Sequence, residues 1–518
     1  MIRNRLRRPS ERTVAGAVAA AAAIVVGLIQ FRHGIVHLLD TVSYWSGAQA
    51  VADGHPFTSR LAPSFSNFDA IEFVERGGRI PFVDFPVAYP LSAGLLGAVI
   101  GVRHAMQALC VLALAAIAWA VVAGARKDTT RPRLFLLAAI GVLVVLMPTA
   151  RCVTQGALSE PLFCAVAVWF VVSLARFREG ASFRPVAILG ATLGLLRFIG
   201  GPLVVMAAWE HHRRHRDPRK AIGIAVAMIA PTATNAAWAA MSGGGHNAGW
   251  RGLQGNDVSF LVRSIGGWFD SRQGDLRRTY FSLDGTSWWS WLVALLWLGA
   301  IVVALIGMIR KHGKFPAPAE LALVASGLIT SGLVLGMLGF DALVTPDNRL
   351  MMPSGVLALF ALAWIMNDRV DSLPSRLRLV VPILVVVWAV LAVRPQDVGE
   401  RFSDEKGVPA YSMVAAASDA SVVISNDADA IHWDTGIPAA YAPMAVQPLT
   451  GEVIDEAALY RDLSCVLLRN NGLIVLSATE TFASVNLRLL ENEIKEGRLV
   501  HEASNGASVY RATDVACE

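Results

Sequence analysis

The chain has 518 residues, of which 54% are hydrophobic and only 16% are charged, and its formal net charge is +5. A soluble globular chain carries about 25% charged residues, so this composition excludes a soluble protein. The composition instead indicates an α-helical polytopic membrane protein. No basic patch with interleaved aromatic residues is present, which argues against a nucleic-acid partner.

The N-terminal segment is rich in arginine up to Arg12 and is followed by an uncharged Ala/Val-rich run from Val14 to Gln30. We interpret that run as an uncleaved first spanning helix, because runs of about 18 or more apolar residues are typical of membrane spans. The same criterion predicts spans near 13–31, 105–124, 134–150, 158–176, 221–240, 287–309, 319–339, 350–366 and 378–394.

Residues 186–209 are bounded by basic loops on both sides, so we predict two short helices bent around 197–201 and about 11 crossings in all. The positive-inside rule places the Arg/Lys-rich breaks, including the N-terminus, in the cytoplasm. An odd number of crossings then makes the C-terminus extracytoplasmic. The apolar segment 87–101 is interpreted as a helix in the outer membrane interface, since a further crossing would put two Arg-rich loops outside.

The tail, residues 395–518, differs from the membrane domain 1–394 because it contains 19 Asp and Glu against 8 Lys and Arg. Short β-rich runs alternate in it with helical patterns, which favours a small α/β domain. The predicted strands are 421–425, 465–468, 473–477 and 508–512, and the predicted helices are 453–462 and 480–496. Cys465 and Cys517 could form a disulfide if the tail is outside.

Asp40 and Tyr44 lie in the loop that follows the first span. An ionisable residue at the end of a span is a functional candidate, because a charge near lipid is costly. Asp40 could accept a proton from an acceptor hydroxyl or bind a divalent cation. The structural alternative is that Asp40 caps a helix while Tyr44 lies in an interfacial aromatic belt.

A Pro-rich segment, Arg79 to Pro90, leads into the apolar segment 87–101 and contains Asp84 and Tyr89. The segment could be a donor-binding loop or merely a rigid turn, and the sequence does not distinguish the two.

Glu160 opens an apolar segment, directly before Pro161. It is either an ordinary acidic helix start or a second carboxylate facing the same external cavity as Asp40. Arg197 interrupts an apolar stretch and Arg349 precedes a predicted span. Their guanidinium forks could bind phosphate oxygens, or both arginines could snorkel or pair with nearby carboxylates.

These motifs, in this order, resemble the GT-C superfamily of membrane glycosyltransferases. The resemblance covers residues 13 to about 394. The matching segments are Asp40–Tyr44, Phe85–Leu91, Ser159–Phe163, Arg197–Gly200 and Asn348–Pro353, the last of which lacks the family's Tyr. The carboxylate after span one is single here, so the resemblance leaves a divalent cation as an open question and assigns no metal ligand.

The resemblance implies a polyprenyl-phosphate-linked sugar as donor, a glycan, lipid or protein as acceptor, and a reaction outside the cytoplasmic membrane. We predict an inverting transfer with Asp40 and Glu160 as the catalytic residues, in which Asp40 acts as general base on an acceptor hydroxyl or orients it and Glu160 assists in the same cavity. Arg197 and Arg349 are predicted to stabilise the negative charge that develops on the lipid phosphate. The predicted substrate-binding residues are Tyr44, Arg79, Asp84, Tyr89, Arg197 and Arg349. The alternatives are a transporter or lipid-linked glycan flippase, a non-catalytic scaffold, and a ligase that moves a whole glycan.

Overall fold

The computed structural model describes residues 10–32, 34–36, 39–62, 70–82, 85–242, 288–310, 315–339, 348–369, 420–426, 428–442, 456–477, 487–504 and 507–517. The helices are Glu11–Gln30 (α1), Leu39–Ala52 (α2), Ala70–Glu75 (α3), Ala88–Ile100 (α4), Val102–Ala123 (α5), Arg131–Val145 (α6), Pro148–Gln155 (α7), Glu160–Arg178 (α8), Arg184–Leu196 (α9), Leu203–His215 (α10), Pro218–Ser242 (α11), Trp288–Arg310 (α12), Ala317–Gly339 (α13), Asn348–Arg369 (α14), Ala428–Thr435 (α15), Glu456–Arg469 (α16) and Leu487–Lys495 (α17). The strands are Thr58–Ser59 (β1), Leu61–Ala62 (β2), Ile80–Pro81 (β3), Val422–Ser425 (β4), Ala439–Tyr441 (β5), Gly472–Ser477 (β6), Leu499–Ser504 (β7) and Ala507–Ala512 (β8).

Several helices have the length and apolarity of membrane spans. Among the described residues, 5 helices meet both criteria, and the number rises to 6 if the bent pair α6 and α7 forms one span. The 5 are α1, α5, α8, the Pro218–Trp238 part of α11, and the Met351–Arg369 part of α14. The chain is therefore a multi-pass membrane protein. The predicted span 378–394 lies outside the described residues, and the count of 11 crossings stays a prediction.

The predicted break in 186–209 is confirmed, because α9 ends at Leu196 and α10 begins at Leu203. The predicted span 134–150 is interrupted. Helix α6 ends at Val145, and the chain bends by 60° before α7. Pro148 is in the first turn of α7, and a proline at that position starts a new helix rather than continuing an existing one.

Helix α4 is too short to span a membrane alone. Its 13 residues extend about 20 Å at 1.5 Å per residue, against roughly 30 Å of hydrocarbon. One face is buried and contains Tyr89, Ala93 and Gly97, while Leu95 and Val99 are exposed. The helix ends at Gly101, whose φ of 85° is a conformation that favours glycine.

The described residues form two compact units. The first lies within Met1–Ile35, Gln107–Thr234 and Gly255–Gln396, and the second within Val36–Met106, Asn235–Gln254 and Asp397–Glu518. In the first unit, α8 packs against α9, α13 and α14, and its own side chains Phe163, Phe170 and Val171 are buried. Most of α8 is therefore covered by protein, as expected for a helix inside a bundle.

The second unit contains a six-stranded sheet with the order β2-β5-β4-β6-β8-β7. Strands β2, β5, β4 and β6 are parallel, and β6, β8 and β7 are antiparallel. The strands predicted at 421–425, 473–477 and 508–512 are confirmed as β4, β6 and β8. The strand predicted at 465–468 is wrong. These residues belong to α16, where Leu463, Val466 and Leu467 recur at helical spacing and are buried.

The sheet is completed by a segment far from the tail in sequence. Strand β2 pairs with β5 in parallel, with Leu61 opposite Ala439. Phe73, Val74 and Ile80 are buried in the same apolar core as residues of β4, β6 and α16. The second unit thus contains residues from both sides of position 394, and the predicted boundary between domains at that position stays a prediction.

Candidate functional site

Glu160 lies in a buried polar cluster within the first unit. Its carboxylate is 1% exposed, and its Oε1 is 2.7 Å from Nη1 of Arg197. The same Nη1 donates to Oγ of Ser159 at 3.2 Å. Glu160 is the first residue of α8, where the aligned peptide dipoles favour a negative charge. Glu160 is therefore a helix start, and the pairing predicted as one alternative for Arg197 is present. That Glu160 faces the same cavity as Asp40 stays a prediction.

Arg197 occupies the break between α9 and α10. Its backbone is extended, with φ −154° and ψ 135°, and a 3-10 turn from Phe198 to Gly200 follows. Gly200 is required there, because a Cβ would lie 2.7 Å from the backbone carbonyl oxygen of Leu193. Non-helical backbone at membrane depth is tolerated where it is buried in protein or lines a cavity. The break directs a guanidinium, with 15% of its side chain exposed, toward the start of α8.

A second buried ion-pair network lies at the other end of α8 and was missed by the sequence analysis. Arg178 donates from Nε to Glu210 Oε2 at 2.9 Å and from Nη1 to Glu320 Oε1 at 2.8 Å. Both carboxylates are almost completely buried, and Arg213 also approaches Glu210, at 3.4 Å. Glu320 begins an apolar segment just as Glu160 does, so the same sequence signal could have identified it.

Asp40 and Tyr44 lie on α2 in the second unit. Asp40 is in the first turn and is partly exposed, which leaves a carboxylate accessible at a helix N-terminus. Tyr44 is 1% exposed, and its ring contacts Phe85 at 4.7 Å and Tyr89 at 5.1 Å between centroids. The alternative that placed Tyr44 in an exposed aromatic belt is therefore wrong. Its ring is buried in the protein beside the Tyr89 predicted for the same site.

Arg79 is partly buried just before β3, in the same unit. Its Nη1 is buried and has no hydrogen-bond partner within the described ranges. A buried N–H group without a partner is costly, so this atom is suited to a ligand oxygen. The other two predicted binding residues cannot be compared in this way, because Asp84 and the side chain of Arg349 lie outside the described residues. The backbone of Arg349 begins α14.

No three His, Cys, Asp or Glu side chains cluster as metal ligands would within the described ranges. We therefore assign no residue to a divalent cation. A small depression on the second unit is lined by apolar atoms of α2 and α4, including Gly47, Val51, Pro90 and Leu91. The depression contains none of the predicted acids.

The structure thus brings the predicted residues together in two groups. Glu160 and Arg197 meet in the first unit. Tyr44 and Tyr89 meet in the second, the first on α2, before the Pro-rich segment, and the second on α4, in which that segment ends.

The fold matches solved structures over nearly the whole chain. ArnT from Cupriavidus metallidurans bound to undecaprenyl phosphate matches with a TM-score of 0.53 and 10% identity, over 96% of this chain and 98% of that one. The apo state of the same protein matches with a TM-score of 0.50 and 12% identity, over 95% and 97%. The oligosaccharyltransferase of Archaeoglobus fulgidus in its apo form matches with a TM-score of 0.47 and 11% identity, over 97% and 74%.

No family model matches the sequence, and no curated protein matches it significantly. At such low identity the structural match establishes the fold alone. The chain shares its fold with ArnT, and the resemblance predicted from the sequence motifs is confirmed at the level of the fold.

Proposed function

We propose that this chain is a membrane glycosyltransferase that moves a sugar from a polyprenyl-phosphate donor to an acceptor on the extracytoplasmic face of the membrane. One observation carries the proposal. A buried carboxylate, Glu160, is paired with Arg197 at a break between two helices of a unit with the GT-C fold. A fold is compatible with many functions, so the chemistry of this pair has to support the activity.

A buried ion pair is a poor device for stability alone. Removing two charges from water costs several kcal/mol per ion, and replacing such pairs by apolar residues is often neutral. The break at Arg197 also removes helical hydrogen bonds. The buried charge and the broken helix are both explained if the guanidinium has to bind a negative ligand during turnover. A sugar leaving a polyprenyl phosphate generates such a charge, and a planar guanidinium fork can stabilise its oxygens.

Arg79 supports a phosphate ligand independently. Its buried Nη1 is without a partner within the described ranges. An anionic oxygen would accept a hydrogen bond from this Nη1. Arg79 also lies in the segment that could bind the sugar donor. The proposal retains Arg79, Arg197, Arg349 and Asp84 as the residues predicted to bind the donor.

Asp40 is the proposed general base. It is partly exposed at the first turn of α2, so an acceptor hydroxyl can approach it. Asp40 accepts the proton of that hydroxyl as its oxygen attacks the anomeric carbon and the bond to the lipid phosphate breaks. A single displacement from the face opposite the leaving phosphate makes the transfer inverting. Tyr44 and Tyr89 contact each other, and both rings are buried, so we propose that they shape the substrate site from behind rather than contact the substrate. Glu160 assists by orienting Arg197.

The orientation is supported by a disulfide. Cys465 and Cys517 are joined in the second unit, with their Cα atoms 4.7 Å apart. Disulfides persist in oxidising compartments and are rare in the cytosol, so this bond favours an extracytoplasmic tail. A cytoplasmic N-terminus agrees with the first unit, where Arg12 and Arg126 lie at helix ends that precede or follow spans.

A transporter would require a polar path through the membrane. Glu160 and Arg178 are about 27 Å apart along α8 at 1.5 Å per residue, and the helix between them contains no charge before Arg176. Charges at the two ends of an apolar helix favour an enzyme that acts at one face. We therefore place the transporter and flippase readings second.

The first experiment measures retention of undecaprenyl phosphate by the purified full-length protein in native mass spectrometry. The wild type should retain the lipid, whereas Arg197→Met and Arg79→Met should retain much less. Arg126→Gln is the matched control, because this arginine is exposed and pairs with Asp128 and Asp368. Equal retention by all four proteins would contradict the proposed phosphate contacts.

The second experiment measures sugar transfer from a panel of radiolabelled undecaprenyl-phosphate hexoses and pentoses in membranes from the native host. Asp40→Asn and Glu160→Gln should abolish incorporation. The folded Glu320→Gln protein should still incorporate sugar, since Glu320 is almost as buried as Glu160 but lies in the other ion-pair network. Activity of Asp40→Asn at the wild-type level would remove the general-base assignment. Flipping of the lipid by the wild type without transfer would favour the transporter.

A further inference from the structure

A buried chain of hydrogen bonds joins α2 to α15 within the second unit. His432 Nε2 lies 3.0 Å from Oγ of Ser46, and His432 Nδ1 lies 2.7 Å from the carbonyl oxygen of Ile437. Ser46 and His432 are 0% and 1% exposed. The two residues are separated by 386 positions in the sequence, so no local pattern indicates their contact.

The neighbours of the pair fix its protonation. The carbonyl of Ile437 can only accept, so Nδ1 carries the proton and Nε2 is an acceptor for the hydroxyl of Ser46. Oγ of Ser46 in turn accepts from the backbone N–H of Arg60 at 2.9 Å and from the hydroxyl of Ser59 at 3.0 Å. The single donor of this serine is therefore used and both of its acceptor sites are approached by donors, although the one proton of Ser59 also reaches the carbonyl oxygen of Leu61, which is 2.9 Å from the Ser59 Oγ.

The pKa of His432 is lowered to about 4, chiefly by burial; the bond to the Ile437 carbonyl raises the pKa, and the nearby positive charge of Arg60 lowers it. The imidazole is therefore neutral at physiological pH. Protonation of Nε2 would also place a second donor against Ser46, whose acceptor sites are already used.

Aromatic contacts reinforce the same junction. The ring of Trp45 lies 5.0 Å from that of His432 and 5.2 Å from that of Trp433. The guanidinium of Arg103, at the start of α5, lies 4.1 Å from the Trp433 ring centroid and donates to the Trp433 carbonyl oxygen. Stacking and cation–π contacts of this kind contribute to fixing the relative position of the elements.

The contact between Ser46 and His432 holds α2 on the face opposite to the one that packs against α4. Tyr44 packs against Tyr89 of α4, whereas Ser46, two residues later, is rotated by about 200° around the helix. Gly94 of α4 brings the two helices close together, because a Cβ there would lie 2.5 Å from the carbonyl oxygen of Ala48. Helix α2 is thus clamped between α4 on one face and α15 on the other.

We infer that His432 is a positioning residue, which acts through Ser46 to hold α2, and with it Asp40 and Tyr44, in the orientation that the transfer requires. The inference rests on the proposed function. A serine bonded to a histidine also suggests a nucleophile and its base, but both side chains are buried and cannot meet a substrate. The tail is accordingly a structural part of the reaction site rather than an accessory domain.

Two substitutions of His432 separate its two hydrogen bonds. His432→Gln retains an acceptor near the position of Nε2, facing Ser46, and His432→Asn retains a donor near the position of Nδ1, facing Ile437. Ser46→Ala removes the hydroxyl itself. Ser464→Ala is the matched control, because Ser464 is equally buried in the same unit but donates only to the carbonyl of Tyr460 in its own helix.

The experiment measures kcat and KM for sugar transfer with the full-length variants. We expect Ser46→Ala and His432→Asn to lower kcat roughly 10- to 100-fold with little change in donor KM, as misplacement of a catalytic group does. His432→Gln should recover most of the loss, and Ser464→Ala should match the wild type. The double variant of Ser46→Ala and His432→Asn should be no slower than either single one. Wild-type kcat in both single variants, or losses that multiply, would overturn the inference.

A second readout does not depend on activity. Asp40→Cys is placed in a background that lacks Cys110, Cys152 and Cys164, and its rate of reaction with an impermeant maleimide is measured. Adding Ser46→Ala should change this rate, and adding Ser464→Ala should not. An unchanged rate with Ser46→Ala would overturn the inference even where that variant fails to transfer sugar. If the wild type transfers no sugar, the proposed function fails, and the labelling result still decides whether His432 and Ser46 position α2.

Discussion

The two ends of α8 each contain a buried arginine–carboxylate cluster, and they differ in how the arginine is held. At the start of the helix, Arg197 comes from a helix break and contacts one carboxylate and one hydroxyl. At the end, Arg178 is part of the regular helix and contacts two carboxylates, Glu210 and Glu320, through all three of its nitrogens.

We interpret the Arg178 cluster as a structural clamp between helices and the Arg197 cluster as a functional site. Arg178 is in the last turn of α8, where a positive charge is favoured, and its bonds tie α8 to α10 and α13. Such a cluster fixes helices and has no apparent use for an additional ligand. The Arg197 cluster has irregular backbone that stability alone does not require. Burial and ion pairing are therefore not sufficient to identify a functional site, whereas burial combined with a broken element is more informative.

The largest expected effect comes from breaking the clamp. Arg178→Met leaves the buried Glu320 without its counter-charge and Glu210 with only the more distant Arg213, and we expect it to destabilise the protein by about 3–5 kcal/mol. Arg197→Met leaves one such carboxylate and should lower stability less while abolishing transfer. Unfolding titrations with SDS in mixed micelles measure both. A larger loss of stability for Arg197→Met than for Arg178→Met would reverse the comparison.

His432 is buried and neutral, without a charged partner, so its effect on stability should depend on pH. The pKa of His432 is lowered to about 4 from its usual 6.5, chiefly by burial. The unfolded chain therefore binds more protons between these values. The stabilising contribution is fully present above about pH 6.5 and is lost as the pH falls towards 4, by roughly 3 kcal/mol at most.

Unfolding of the wild type at a series of pH values from 7 to 4 measures this loss. His432→Gln serves as the control, because it has no titrating group at this position, and its stability should fall less over the same range. Parallel curves for the two proteins would show that His432 does not titrate in this window.

A smaller effect distinguishes the arginines by shape. Arg197→Lys preserves the charge and loses the planar fork that holds two oxygens at once. We expect kcat to fall about 10- to 100-fold, equivalent to roughly 1.4–2.7 kcal/mol, with the fold maintained. Arg178→Lys should instead lower stability, because one ammonium cannot replace three bonds to two carboxylates. Transfer rates and SDS unfolding of the two variants provide the measurement, and an equal loss of kcat in both would remove the distinction.

The smallest effect concerns an exposed pair of the same length. Arg76 Nη2 lies 2.7 Å from Glu72 Oε1 on α3, as Arg197 Nη1 does from Glu160, but both side chains are substantially exposed. Exposed pairs contribute little, so Glu72→Gln should change the free energy of unfolding by less than about 0.5 kcal/mol. A loss comparable with that of Glu160→Gln would show that distance, not burial, governs these pairs.

The sequence predicted the helices better than the contacts between them. The spans beginning near residues 13, 105 and 158 match α1, α5 and α8 within a few residues, because apolar runs of that length have few alternatives in a membrane. The break at Arg197 was also predictable, since a charge followed by Gly200-Gly201-Pro202 interrupts a helix. The amphipathic helix α16 was partly mistaken for a strand, because four consecutive apolar residues are compatible with either structure.

Long-range pairings were not predictable. Nothing near Ser46 indicates His432, and nothing near Leu61 indicates Ala439, because each contact is set by the folding of residues that lie hundreds of positions apart. The proposed site residues Asp40, Glu160 and Arg197 were identified from charge beside apolar runs. That signal finds the acid or base but not its partner, and it applies equally to the Arg178 clamp.

The insertion of β2 at the edge of the sheet also has a consequence for biogenesis. Leu61 is synthesised about 380 residues before the Ala439 with which it pairs. At roughly 5–20 residues per second, the ribosome needs about 20–80 s to supply the partner strand. Throughout that interval Phe73, Val74 and Ile80 lack the core partners that β4, β6 and α16 supply later. Newly made chains should therefore depend on quality-control chaperones and be vulnerable to surveillance proteases until translation is complete.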